Sequence, residues 1–189
     1  MKCEDIIRNP EILEYYRNGG KSMSRIKDLQ KQVHRVLDKM EDGDKRLKAV
    51  SHLHGVALAA AMLAKKRGEN AEHATMAGLL HDLYAYKSGS YDDHAHLGAD
   101  YARKLLEKLA ITTPEETDVI CAAIGQHDSK AEVDGPMDEI LKDADVIDHS
   151  LSDPTKEVKA HEAARYARSW DWRTDRRIGI CGGAICVNY

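Results

Sequence analysis

The chain has 189 residues, 42% of them hydrophobic and 32% charged, with a formal net charge of −4. That length suits one domain with small terminal additions and allows a substantial core, while the composition excludes a disordered chain. The acidic balance gives no footprint for a nucleic-acid polymer, no apolar run reaches the ~18 residues of a membrane span, and no signal-peptide core follows the first residues.

Helical periodicity runs through most of the chain and strand-like patterns are few, so an all-α fold is expected. Residues 4–18 read as one or two short helices with Pro10 in a first turn, ended by Gly19-Gly20. Residues 22–40 form an amphipathic helix through Ile26, Leu29, Val33 and Leu37, on which His34 lies among Gln30, Lys31 and Asp38 and is solvated. Asp42-Gly43-Asp44 is a turn. The next helix spans Lys45 to Arg67 and stops at Gly68. On it His52 shares a face with Val56, Ala59 and Leu63, and His54 lies roughly opposite.

Asn70 caps a helix whose Ala74–Ala85 stretch is apolar or small almost throughout and therefore buried nearly all round. In its middle stand His81 and Asp82. A buried carboxylate is paired or binds a metal, and an imidazole beside it makes half of a first-row metal site. Lys87-Ser88-Gly89-Ser90 is then a polar loop. From Asp92 to about Ala110, His94 opens the inner stripe, whereas His96 belongs with Asp100, Arg103 and Glu107 on the wet side. Thr113-Pro114-Glu115-Glu116 starts a further helix that carries His127 inward at its end.

Pro136 opens a helix through Ile140, Leu141, Ala144, Ile147 and Leu151, and Asp153-Pro154 caps another with Val158, Ala163-Ala164 and Ala167 on it. After Trp170 the pattern fails, leaving a Gly-rich tail with at most a short strand. Cys3, Cys121, Cys181 and Cys186 are too sparse for a disulfide framework, which points to a reducing cytoplasm. Cys181 and Cys186 lack the spacing of paired zinc ligands.

Periodicity thus turns His52, His81-Asp82, His94 and His127 inward on successive helices, the way metal sites are built in bundles. The remaining carboxylate is open at this level. Asp143, Asp145 and Asp148 share one helix, and a wheel centred on Ile140, Leu141 and Ala144 favours Asp148 over Asp145.

The order His, His-Asp, His, His, Asp resembles the HD-domain superfamily of metal-dependent phosphohydrolases. Ser51-His52-Leu53-His54-Gly55-Val56-Ala57 is similar to its first motif, and Gly78-Leu79-Leu80-His81-Asp82-Leu83 to its signature. His94-Ala95-His96-Leu97-Gly98-Ala99, Ala123-Ile124-Gly125-Gln126-His127 and Leu141-Lys142-Asp143-Ala144-Asp145 match the rest in order. A second His-Asp pair, His127-Asp128, is read as accidental. The resemblance covers residues 45–152, leaving 1–44 as an N-terminal helical extension and 153–189 as a helix and tail packed on the same domain. The spacing of 29 between His52 and His81 is similar to that of compact bacterial members, some of which resemble symmetrical diadenosine-tetraphosphate hydrolases.

The resemblance implies an HD-domain bundle of about six to nine helices with the metal site between them. It implies His52, His81, Asp82 and Asp145 about one metal and His94 and His127 about a second, with Asp82 bridging and His81-Asp82 as the catalytic pair. It names Asp145 over Asp148, which is left as a local hydrogen-bond acceptor. Two divalent transition metals are expected, Fe or Mn by preference, with Zn, Co or Ni compatible. The implied reaction is hydrolysis of a phosphate ester or anhydride of a nucleotide-like small molecule by metal-bound hydroxide. Lys130 and Lys87 are candidates for the substrate phosphates, His149 for bracing a ligand, and Tyr84 and Tyr86 for stacking a base. A homodimer is left open. An oxygenase of the same superfamily with a di-iron pair, or a non-catalytic binding module, are the alternatives; the Gly-Tyr-Pro motif of cyclic-dinucleotide phosphodiesterases is absent.

Overall fold

The computed structural model describes residues 24–169, together with the backbone of 178–181 and 184–187. The helices expected within 4–18 and the side chains of Cys3, Cys181 and Cys186 lie outside the described residues. Eight helices run through the described residues: α1 Arg25–Leu37, α2 Gly43–Arg67, α3 Ala71–Leu80, α4 Leu83–Ser88, α5 His94–Leu109, α6 Pro114–Gln126, α7 Pro136–Leu151 and α8 Ala163–Ser169. Strands β1 Ile178–Cys181 and β2 Ala184–Val187 form an antiparallel hairpin in which Ile178 faces Val187.

Local chemistry sets most helix ends. Ser24, Asp42 and Asn70 each accept a backbone N–H of the first turn that follows them, satisfying donors that have no partner inside the helix. Thr113 and Glu116 form a reciprocal capping box with Pro114 at the first position. Helix α2 ends at Gly68, whose φ of +77° is reached without penalty only by glycine.

Helix α3 is the hub. It packs on α1, α2, α6 and α7, with Met76, Ala77, Leu79 and Leu80 buried. Gly78 makes its approach to α2 possible: a Cβ there would stand 2.6 Å from Ala57 Cα and 2.7 Å from Ala57 N. Leu53, Val56, Ala60, Ile120, Ile124, Ile140 and Ala144 close the core around α3, each large side chain contributing about 1.5–3 kcal/mol of burial. Helix α2 has the length and hydropathy of a membrane span, but Ala49, Leu53, Val56, Ala57, Ala60, Leu63 and Ala64 are buried and the helix packs on α3 and α7. Arg25 joins α1 to its neighbours, bonding Glu72 of α3 (Nε–Oε1 3.0 Å) and Glu116 of α6 (Nη1–Oε2 2.8 Å).

Two expectations need correction. The sequence reads as one helix through His81-Asp82, yet α3 ends at Leu80 and α4 begins at Leu83, with Asp82 at φ −106°, ψ 4°. Adjacent residues of a continuous helix project about 100° apart; at the break His81 Nε2 and Asp82 Oδ2 stand 3.7 Å apart. The helix expected from Asp153-Pro154 starts only at Ala163, and its alanines are not the inner face. Ala163, Ala164 and Ala167 are exposed, whereas Glu162, Arg165 and Ser169 are buried. Arg165 explains the inversion. Its guanidinium bonds Glu139 Oε2 at 2.8 Å, Asp143 Oδ1 at 2.9 Å and the carbonyls of Lys130 and Glu132 at 2.9 and 3.1 Å, so ionic pairing rather than apolar burial docks α8 on α7.

Candidate metal centre

Helices α2, α5, α6 and α7 and the α3–α4 break surround a cavity of about 1020 Å³ whose walls include His52, Asp82, His94, His127, Asp145 and His149. His81 is fully buried behind His52. Gly98 lets α5 approach the break, since a Cβ there would stand 3.0 Å from the His81 carbonyl oxygen; His94 sits one turn earlier on that helix.

Each of the expected ligand histidines has its Nδ1 occupied by an acceptor behind the site. His52 Nδ1 is 2.7 Å from Asp148 Oδ2, His81 Nδ1 2.9 Å from Gly78 O, His94 Nδ1 2.9 Å from Tyr91 O, and His127 Nδ1 2.7 Å from Ile124 O. With Nδ1–H donated backward, Nε2 is the nitrogen that every ring turns to the cavity, the atom that would ligate a metal once deprotonated. The Nε2 atoms of His52 and His81 stand 3.1 Å apart.

Asp82 lies between two pairs of these rings. Its Oδ2 is 3.7 Å from Nε2 of both His52 and His81, and its Oδ1 is 3.6 Å from His94 Nε2 and 3.4 Å from His127 Nε2. Asp145 Oδ1 faces His52 Nε2 at 3.4 Å and His81 Nε2 at 3.7 Å. Both Asp82 Oδ1 and Asp145 Oδ1 are buried without a hydrogen-bond partner. Buried carboxylate oxygens left bare against imidazole lone pairs are costly unless a cation joins them, so the donor set fits divalent transition ions. His52, His81 and Asp145 form one group able to hold an ion, and His81, Asp82 and His127 another.

The electrostatics agree. Burial works to raise the Asp82 carboxyl, but the facing imidazole of His81, with those of His127 and His52, outweighs it and holds the group well below the usual carboxylate range. Asp145 is likewise raised by burial and lowered further by Lys130 and His81. Burial favours neutral imidazole at His81. At His52 burial is outweighed by Asp148, Asp82 and Asp145, which raise it to about 10, so an ion entering the site displaces the proton on its Nε2.

Asp148 is where the helical wheel misleads. Asp145 is the more buried of the two, and Asp148 is no local acceptor: it reaches across to α2 and grips His52. Gly55 makes room, because a Cβ there would fall 1.9 Å from Asp148 Oδ1. The sequence signal for this was present in Gly55, three residues after His52, but its meaning required the partner helix.

Lys130 comes to the centre, its Nζ donating to Asp145 Oδ2 and to the His127 carbonyl, both at 2.6 Å. Lys87 does not. It is exposed and lies over the rings of Tyr84 and Tyr101, 5.8 and 4.9 Å from their centroids. On the short α4 the cavity-facing residue is the preceding Tyr86, and one residue along a helix turns a side chain by about 100°. Tyr86 lines the cavity with Tyr91, whereas Tyr84 packs on Tyr101. Lys48, Lys159, His161 and Glu162 also line it, none of them singled out by sequence. The outward histidines are as expected: His54 meets His34 (Nε2–Nε2 3.0 Å) and His96 pairs with Asp93 in solvent. His149 stacks on His52, its Nε2 3.4 Å from Asp145 Oδ1.

No solved structure matches the chain. A family model, that of the HD domain, matches residues 49–150, slightly more than half of the chain and the stretch that carries His52, His81, Asp82, His94, His127 and Asp145. The chain belongs to the HD domain family, a superfamily of metal-dependent phosphohydrolase type.

Proposed function

We propose that the protein is a metal-dependent phosphohydrolase acting on a phosphorylated, nucleotide-like small molecule. The observation that carries this reading is Asp82, whose two oxygens divide between the His52/His81 and His94/His127 pairs, the arrangement of a carboxylate shared by two ions. Divalent transition ions bound there would acidify a water and polarise phosphoryl oxygens. The chain's own residues supply the rest. His52, His81, Asp82 and Asp145 would hold one ion, His94 and His127 the other, and Asp148 fixes the ring of His52. Lys130 neutralises Asp145 and holds an ammonium group beside the centre, where it suits a phosphate oxygen.

A cavity of about 1020 Å³ is of the size that takes a nucleotide-sized ligand. Lys48 and Lys159 offer charge for further phosphates, and Tyr86 and Tyr91 offer apolar faces for a base. Iron or manganese is our preferred metal for this imidazole-rich, mixed nitrogen and oxygen set. The flanking stretches 1–44 and 153–189 are proposed to belong to the same unit, a view supported for the latter by the grip of Arg165 on the carbonyls of Lys130 and Glu132.

Protein purified without chelator is analysed for metal and assayed for phosphate release from a panel of phosphorylated metabolites. About two metal equivalents and metal-dependent release are expected. Full-rate hydrolysis by chelated protein refutes the reading, and substrate-dependent oxygen uptake by the iron-loaded protein replaces it with an oxygenase.

A further inference from the structure

His149 repeats the wiring of His52. Its Nδ1 is 3.0 Å from Glu162 Oε1, as that of His52 is 2.7 Å from Asp148 Oδ2. Its Nε2 is 3.4 Å from Asp145 Oδ1, the same distance as that of His52. With Nδ1–H given to Glu162, the Nε2 lone pair of His149 confronts a buried carboxylate oxygen that has no hydrogen-bond partner. Two acceptors so placed repel unless a proton or a metal ion lies between them, and the 3.4 Å separation is the one an ion would set. Two ligand atoms each ~2.1 Å from one ion at a tetrahedral angle stand ~3.4 Å apart.

The rings tell the same story. His81 is 5.0 Å from both His52 and His127, and His127 is 5.0 Å from His94, centroid to centroid. His149 extends this arc at the His52 end, 5.2 Å away with the rings 7° from parallel.

Glu162 is an expensive residue to place behind an ordinary surface histidine. It is 2% exposed, its Oε2 is buried without a hydrogen-bond partner, and its Oε1 is also approached by Lys159 Nζ at 3.4 Å and His161 Nε2 at 3.7 Å. It lies beyond residues 49–150, outside the stretch matched by the family model.

We infer that His149 is a further ligand of the ion held by His52, His81 and Asp145, and that Glu162 is the carboxylate that orients it. The inference rests on the metal centre proposed above. A third imidazole on that ion makes the site richer in nitrogen and disfavours magnesium.

Cobalt(II) titrated into metal-free, full-length protein tests this through visible absorption and chelator competition, without any substrate. Wild type should bind cobalt with d–d bands of a nitrogen-rich site. His149→Ala should weaken one of the bound ions by more than ~10-fold and change its bands, and Glu162→Gln should weaken the same ion by ~10-fold, the scale on which orienting partners act. The exposed His96→Ala should match wild type. Circular dichroism checks folding, and His149→Gln replaces the alanine variant if that one melts early. A folded His149 variant with wild-type affinity and bands overturns the inference while leaving the metal centre standing. A wild-type protein that takes up no cobalt overturns both.

Discussion

His52 and Asp148 stand 96 positions apart in the chain and 2.7 Å apart in the fold, His52 Nδ1 donating to Asp148 Oδ2. Asp148 is thus half of a carboxylate–histidine pair that sets which ring nitrogen faces the cavity. Asp148→Asn should lower metal affinity about 10–100-fold, as losses of such orienting partners do. A competition titration of the folded variant measures it; unchanged affinity would return Asp148 to a purely structural role.

Asp82 and Asp145 make a sharper comparison with it. Asp82→Ala removes the oxygens facing all four rings and should abolish activity and the bound pair of metals. Asp145→Asn should weaken metal binding and nearly abolish turnover, because Oδ1 is the atom that His52 and His81 confront. Metal analysis at matched folding ranks the three variants, and an Asp148 variant poorer in metal than the Asp145 variant contradicts the assignment.

Each of two helices carries a decoy histidine. His54 turns to His34 and His96 to Asp93, so His54→Ala and His96→Ala should keep metal content and rate within a few-fold. His52→Ala and His94→Ala should lose metal, or more than ~10-fold in activity. A metal-loaded crystal structure with His54 or His96 on an ion would refute the helical-face argument.

Gly78 and Gly43 should respond oppositely to a methyl group. At Gly78 the new Cβ meets the backbone of Ala57 at 2.6 Å, which cannot give way, so Gly78→Ala should cost ~1–3 kcal/mol or more and separate His81 from His52. At Gly43 nothing lies within 4 Å, and Gly43→Ala should be neutral or stabilise by up to ~1 kcal/mol. Thermal melts of the two variants decide it, equal shifts being the contrary result.

Acid should loosen the junction of α1, α3 and α6. The Glu116 carboxyl is lowered from 4.5 to about 2, by the Thr113 backbone N–H first and then, against some burial, by His73 and Arg25. A carboxyl depressed on folding stabilises the protein above its unfolded value, so this contribution is full above pH 4.5 and is lost as pH falls from there toward 2. Glu116→Gln should lower stability at neutral pH and flatten the acid limb. An acid limb as steep as that of wild type would show that Glu116 is not the group responsible.

What the sequence determined by itself was local. Caps at Asn70 and Thr113, the stop at Gly68 and the inward turn of His52, His94 and His127 follow from residue chemistry within a turn or two and from the helical repeat. Resemblance to a known pattern then chose Asp145 where the wheel alone chose Asp148. The tertiary structure decided what depends on partners remote in the chain: the hold of Asp148 on His52, the Glu162 behind His149, the buried Arg165 that inverted the expected face of α8, and the displacement of Lys87 onto Tyr101. Apolar periodicity reports which face of a helix meets the core, because burial is non-directional and averages over many neighbours. A buried charge is placed by one or two specific partners, whose positions exist only once the helices have packed.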